Sequence, residues 1–367
     1  SLSIDLKALS NNAATTRGLV GNSKILASVK ANAYGHGLAR CSEALNQEVD
    51  GFAVAFCEEA VLLRQQGITL PLLLLEGPFD REDVDAIKEY DLMMVVHSHH
   101  QIELLQKSAC PLTSPVWIKI DTGMHRLGFS PAEAPSVAQR LHEMGASSTI
   151  LMTHYGEGEE PASALTQEQQ RAWQTSTHSI TSATSAANSA AIINTLAPNT
   201  DWMRPGIMLY GAAHSDPIGA PLEAVMSFRS EVMAMRHILA GDTVGYGGRW
   251  RAQRDSTIAT IPVGYGDGYP RGAEDGTPVW LQHQCVPLVG RVSMDMVMVE
   301  LPAKLEVRTG DRAEMWGNQL SIDEVAAHIG TLGYTLMSSL TARVERRLFS
   351  PPSEAKIEAG FDNSEKH

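Results

Sequence analysis

The sequence predicts an α/β protein with an N-terminal (β/α)8 TIM-type barrel and a C-terminal, mainly β domain. Its 367 residues exceed the usual size of one compact domain, so about two cores are expected. From residue 24 to about 210, short β-branched and apolar runs alternate with amphipathic helical stretches, the pattern of repeated βα units on a parallel sheet. Beyond about residue 224, strand-like runs follow one another across Gly and Asp turns. The division is 1–224 for the barrel, 225–358 for the second domain and 359–367 for a flexible polar tail.

Barrel strands are expected at 25–29, 51–55, 70–75, 92–96, 116–120 and 150–153, with weaker ones at 191–194 and 207–209. The nearly unbroken apolar character of several suits strands buried on both faces, although an open doubly wound sheet satisfies the same pattern. Helices are expected at 81–90, 101–107, 137–144 and 163–177, opened by Ser, Asp or Pro. His97, His99 and His100 follow the fourth strand. They are read as solvated imidazoles around a helix capped by Ser98, and no metal is expected.

In the second domain, strands are expected at 231–235, 257–263, 279–282, 286–289 and 297–301. One helix at 322–329, opened by Ser321, interrupts them, and another near 334–343 follows.

A net charge of −13 and a pI near 5.4 oppose adhesion to nucleic acid, which needs clustered Lys and Arg. The longest apolar run, around Leu70 to Leu75, is too short to cross a bilayer, and no charged-then-apolar leader opens the chain, so a cytoplasmic protein is expected. Cys41, Cys57, Cys110 and Cys285 lack C-x-x-C spacing and read as reduced, mostly buried thiols. The Gly-rich runs at 245–248 and 264–268 lack the G-x-G-x-x-G spacing of a nucleotide loop.

In a parallel barrel, chemistry sits where strands end at their carboxyl edge. Lys30 closes the first expected strand. By position alone a solvated surface charge is the favoured reading. Its surroundings, Val29-Lys30-Ala31-Asn32-Ala33-Tyr34-Gly35, resemble almost letter for letter the cofactor-lysine motif of the alanine racemase family. The resemblance continues in the family's order through Lys119-Ile120-Asp121-Thr122-Gly123-Met124-His125-Arg126, Asn188-Ser189-Ala190-Ala191 and Arg204-Pro205-Gly206-Ile207. It ends with Gly264-Tyr265-Gly266-Asp267-Gly268 and Gly290-Arg291-Val292-Ser293-Met294-Asp295. It implies a pyridoxal 5'-phosphate enzyme, a homodimer with shared active sites, and interconversion of L- and D-alanine, the latter a peptidoglycan precursor.

An aldehyde cofactor needs an amine that is nucleophilic near neutral pH, which partial desolvation favours, so Lys30 is expected to hold it as a Schiff base. By resemblance, Tyr34, Ser189, the backbone of Gly206 and Ile207, and Tyr334 hold its phosphate. Arg204 would meet the pyridine nitrogen. Because arginine only donates, that nitrogen stays unprotonated and the ring is a weaker electron sink, which favours returning the proton to Cα.

Racemisation needs acid-base groups on both faces of a planar intermediate. Lys30 supplies one. The resemblance makes Tyr265, reaching into the partner's barrel, the other. A phenol ordinarily has a pKa of about 10, so phenolate must be stabilised or coupled to a relay. The resemblance makes His154 and Arg204, both also cofactor-binding positions, its hydrogen-bonded neighbourhood. The resemblance assigns Arg126 to the substrate carboxylate, Met294 and Asp295 to substrate contact, and Lys119 to carbamylation or a plain structural role.

The chain departs from the family pattern at Tyr155-Gly156-Glu157-Gly158-Glu159, at Ser185 where some relatives carry histidine, and at Thr335 and Ser338. Two other readings share the motifs: a serine or broad-specificity racemase, and a non-catalytic pyridoxal-phosphate-binding protein. The second would resemble the first domain only, and a barrel decarboxylase would be expected to place a carboxylate where Arg204 stands.

Overall fold

The computed structural model describes residues 1–178, 180–197, 199–213 and 216–349. The expected tail at 359–367 and the end of the second domain lie outside these residues. Eight parallel strands form the first sheet: β2 (Lys24–Ser28), β3 (Gly51–Val54), β4 (Leu72–Leu74), β5 (Met93–Val96), β6 (Val116–Lys119), β7 (Thr149–Met152), β8 (Ala183–Ser185) and β9 (Trp202–Met203), in the order β8-β7-β6-β5-β4-β3-β2-β9. The seam between β8 and β9 is closed by side chains. The Thr184 amide donates to the Asp201 carboxylate at 2.7 Å and the Ser185 hydroxyl to the Trp202 carbonyl at 2.9 Å. Leu26, Ala53, Leu73, Val95, Trp117, Met152 and Trp202 fill the interior, and the Trp117 and Trp202 rings meet edge to face at 5.7 Å. The barrel is thus a packed core and not a pore, and the sequence-predicted fold class stands.

Two expected strands are corrected. Residues 191–194 fall largely in the helix Ser189–Ile193, which Asn188 caps by accepting from the Ala191 amide at 3.0 Å. The strand lies earlier, in Ala183-Thr184-Ser185, too polar to register as an apolar run. Residues 207–209 belong to a 3₁₀ turn, Ile207–Tyr210, and the strand is the short β9 before Arg204-Pro205. Pro205 lacks an N–H, so only its carbonyl meets β2, accepting from the Ser28 amide at 2.9 Å.

The second region holds a six-stranded sheet, β16-β15-β18-β10-β1-β19, and a three-stranded one, β11-β14-β17. Their strands are β1 (Leu2–Asp5), β10 (Met226–Glu231), β11 (Ala234–Ile238), β14 (Ser256–Ile261), β15 (Pro278–Leu281), β16 (Gln284–Pro287), β17 (Val297–Leu301), β18 (Arg312–Trp316) and β19 (Arg346–Phe349). A two-stranded ribbon pairs β12 (Thr243–Val244) with β13 (Trp250–Arg251). The strand expected at 231–235 spans a junction: the Val232 amide donates to Asp311 and the Met233 amide to Thr260, so the chain changes sheets there. The first strand stands outside the barrel. It pairs antiparallel with β10 and parallel with β19, burying Leu2 and Ile4, while Asp5 caps the helix Leu6–Val20. The helix expected at 334–343 ends early, as Gly333–Ser339, followed by turns.

Candidate active site

The carboxyl ends of the barrel strands enclose a cavity of about 250 Å³, lined by Ser28, Lys30, Tyr34, Leu75, Glu76, Lys119, Arg126, Met152, His154, Asn188, Ser189, Arg204, Gly206 and Tyr334. Most of the residues singled out in the sequence meet here. Ile207 follows Gly206 and is buried at the start of its 3₁₀ turn. Among the described residues Glu76 is the one carboxylate in a lining otherwise rich in Lys and Arg.

The chain around Lys30 is bent unusually. Ala31, Asn32, Ala33 and Tyr34 all carry positive φ, from 52° to 55°, so the turn Lys30–Tyr34 is left-handed. This costs on the order of 1–2 kcal/mol for each residue that is not glycine, because Cβ crowds the following carbonyl. Asn32 repays part of it, its side chain accepting from the Leu38 amide at 2.8 Å. The second domain also clamps the turn, with Arg346 Nε donating to the Gly35 carbonyl at 3.1 Å.

Tyr34 points toward the β9 end of the barrel. A Cβ on Gly206 would lie 2.5 Å from its hydroxyl oxygen, so only glycine lets the two approach. Burial pushes the Tyr34 phenol up to about 12, and it stays protonated and able to donate at neutral pH. Its ring lies 4.9 Å from Tyr210 and 5.8 Å from Tyr334. Ser189 Oγ accepts from the Gly206 amide at 2.8 Å and the Met208 amide at 3.4 Å, which leaves its own proton to donate. Hydroxyls and backbone amides thus converge in one corner suited to an anion such as phosphate.

Arg204 is buried, at 4% exposure. It donates to Ser185 Oγ at 2.5 Å, the Thr153 carbonyl at 2.5 Å and the Ala186 carbonyl at 3.4 Å. Burial draws its pKa down to about 10, still cationic at neutral pH. His154 is held neutral, well below its ordinary range, first by burial and then by the Arg204 charge. Asn188 Nδ2 lies 3.3 Å from its Nε2, so Nε2 accepts and the proton sits on Nδ1. Lys119, 8% exposed, is lowered to about 8 by burial and then by Arg126, with Glu76 opposing. It is therefore partly an uncharged amine near neutral pH.

Tyr265, Met294 and Asp295 do not line this cavity. They form a separate cluster on the second domain, where Tyr265 is 38% and Met294 53% exposed. The Tyr265 amide donates to the Ser293 carbonyl at 3.1 Å and the Gly266 amide to Met294 at 2.8 Å. Gly264 permits this, since a Cβ there would lie 2.3 Å from both carbonyl oxygens. Arg343 ties the loops together, pairing with Asp267 at 3.2 Å and Asp295 at 2.6 Å.

Sequence reasoning passed over Glu76, Asn188 as a partner of His154, and Arg343. Glu76 directly follows an apolar strand run, the same signal that singled out Lys30. His97 is engaged by the Glu76 carbonyl and His99 by Glu133, while Ser98 caps the helix His99–Lys107.

The family model for the alanine racemase N-terminal domain matches residues 4–214, and that for the C-terminal domain matches 225–348. An alanine racemase of Shewanella loihica is 44% identical over 344 residues, covering 92% of this chain and 95% of the relative. The biosynthetic alanine racemase of Pseudomonas aeruginosa superposes with a TM-score of 0.92 at 39% identity, over 95% of this chain and 99% of that one. The Bartonella henselae alanine racemase, solved with covalently bound pyridoxal phosphate, gives a TM-score of 0.86 at 30% identity, over 95% and 99%. With both family domains matched in order across nearly all the described residues, the chain belongs to the alanine racemase family.

Proposed function

We propose that this chain interconverts L- and D-alanine with pyridoxal 5'-phosphate held at Lys30, and that it works as a homodimer in which Tyr265 of one copy completes the cavity of the other. The observation that carries the reading is the split of the chemistry: Lys30 and Arg204 share a cavity, while Tyr265 stands exposed beside Met294 and Asp295 on another domain. A second copy is the simplest way to unite them.

The residues present suit the cofactor. Lys30 offers the amine. Tyr34, Ser189, Tyr334 and the Ile207 amide offer donors to a phosphate, and the Gly206 amide joins them by leaving Ser189 Oγ. Arg204 binds through its two terminal nitrogens to neutral oxygens, which leaves Nε to donate to a ring nitrogen. When bound, the cofactor supplies an electron sink that makes the substrate's Cα–H acidic. Lys30 holds or returns a proton on one face, and Tyr265 of the partner copy does so on the other. Arg126 orients the substrate carboxylate with paired N–H groups. The uncharged fraction of Lys119 suits addition of carbon dioxide with loss of one proton, giving a carbamate within reach of Arg126.

Among the described residues no helix is long and apolar enough to cross a membrane. Four unpaired cysteines support a reducing, cytoplasmic setting. The decisive experiment incubates the protein with L-alanine in deuterated water. Appearance of D-alanine with deuterium at Cα is expected; unchanged chirality and no label would refute the reading.

A further inference from the structure

The left-handed turn that carries Lys30 and Tyr34 needs something to hold its leading end. Its first amide, that of Ala31, donates to Glu59 Oε1 at 2.7 Å, and the other oxygen of the same carboxylate accepts from the Ala55 amide at 2.9 Å. Ala31 directly follows Lys30, and Ala55 directly follows β3. One half-buried carboxylate therefore ties the ends of two neighbouring barrel strands together at the mouth of the cavity.

We propose that Glu59 is a positioning residue for the cofactor lysine: it fixes the Ala31 amide so that Lys30 and Tyr34 are held in place for the incoming phosphate and aldehyde. Glu59 is the third residue of the helix Cys57–Gln65, a place where a carboxylate normally turns back to the backbone before its own helix. The bond to Ala55 serves that purpose. The bond to Ala31 contributes nothing to the helix and acts on the strained turn, where residues persist in unfavourable φ only if their surroundings over-determine them. Two acceptor oxygens are required. Glutamine would point an NH2 group at one of the two amides, and aspartate is one methylene short.

The inference rests on the reading of Lys30 as the cofactor amine, so its test has arms that separate the two. Glu59→Gln, Glu59→Ala and Lys30→Ala proteins are freed of cofactor. Amide hydrogen exchange across residues 29–37 and 53–57 is then measured, followed by titration with pyridoxal phosphate. In Glu59→Gln, faster exchange at Ala31 and about tenfold weaker cofactor binding are expected, the scale of losing a charge-assisted hydrogen bond. Exchange at Ala31 and affinity both unchanged in Glu59→Gln and Glu59→Ala would overturn the proposal, as would faster exchange confined to Ala55 with normal affinity. Covalent attachment persisting in Lys30→Ala would overturn the reading of Lys30, and the exchange result would still decide whether Glu59 holds the turn.

Discussion

Arg204 donates to Ser185 Oγ at 2.5 Å, and Ser185 in turn donates to the Trp202 carbonyl at 2.9 Å, so a buried cation is held by neutral oxygens across the barrel seam. Ser185→Ala removes one acceptor from a guanidinium that is only 4% exposed. A loss of about 1–3 kcal/mol is expected, read as a lower urea midpoint, with Ser185→Thr retaining most of the stability. Equal midpoints for the alanine variant and the parent would show that the contact is dispensable.

Gly206 and Tyr34 make the second prediction. A methyl at 206 would lie 2.5 Å from the phenol oxygen and 3.2 Å from Cζ of a ring that is itself packed against Tyr210 and Tyr334. Gly206→Ala should cost about 1–3 kcal/mol by overpacking and push the Tyr34 ring away from the phosphate corner. The measurement is cofactor titration alongside thermal unfolding. Tenfold or more loss of affinity is expected, and wild-type affinity would mean that Tyr34 takes no part in holding the phosphate.

Much of this architecture was readable from residue order. β5, for instance, is short, apolar on both faces and flanked by helices that Asp80 and Ser98 cap, so period and composition agree. The failures have a common cause. β8 is Ala-Thr-Ser and β9 two residues long; both close the barrel through side-chain bonds from Asp201 and Ser185, which no hydrophobic pattern encodes. β1 is four residues, Leu-Ser-Ile-Asp, half of them polar, and only its partners β10 and β19, more than 200 residues away, make it a strand. The site was legible as motifs, but the left-handed turn after Lys30 was not. Ala31, Ala33 and Tyr34 are ordinary helix or strand residues, and their positive φ is imposed by Glu59, Asn32 and the second domain.

His36 gives a prediction in pH. Its Nδ1 lies 3.0 Å from the carbonyls of Ala33 and Tyr34, while Nε2 is buried without a partner among the described residues. Burial lowers its pKa from 6.5 to about 4. The folded state therefore binds fewer protons than the unfolded chain between those values, and stability falls as pH drops through 6.5, levelling below 4. By pH 5 the contribution lost is about 2 kcal/mol. Urea midpoints at pH 8 and pH 5 should differ more for the parent than for His36→Asn. An identical pH response in both would assign the acid sensitivity elsewhere.

The last prediction addresses Tyr265. Its exposed ring belongs to a loop braced by Gly264, Ser293 and Arg343, and its own cavity is lined without it. If the phenol transfers a proton and anchors nothing, Tyr265→Phe should keep the absorbance of bound cofactor and the parent's thermal stability while losing at least a hundredfold in racemisation, the scale of a positioned acid-base group. Sharing between copies is tested by mixing Lys30→Ala with Tyr265→Phe protein, each inactive alone. In a hybrid dimer one of the two cavities pairs a wild-type Lys30 from one copy with a wild-type Tyr265 from the other, and its second cavity lacks both. Random exchange of equal amounts makes half of all dimers hybrid, so activity should return to about a quarter of the parent's per cavity. Absence of recovery after subunit exchange has been demonstrated by mass would mean that Tyr265 of one copy does not complete the cavity of the other.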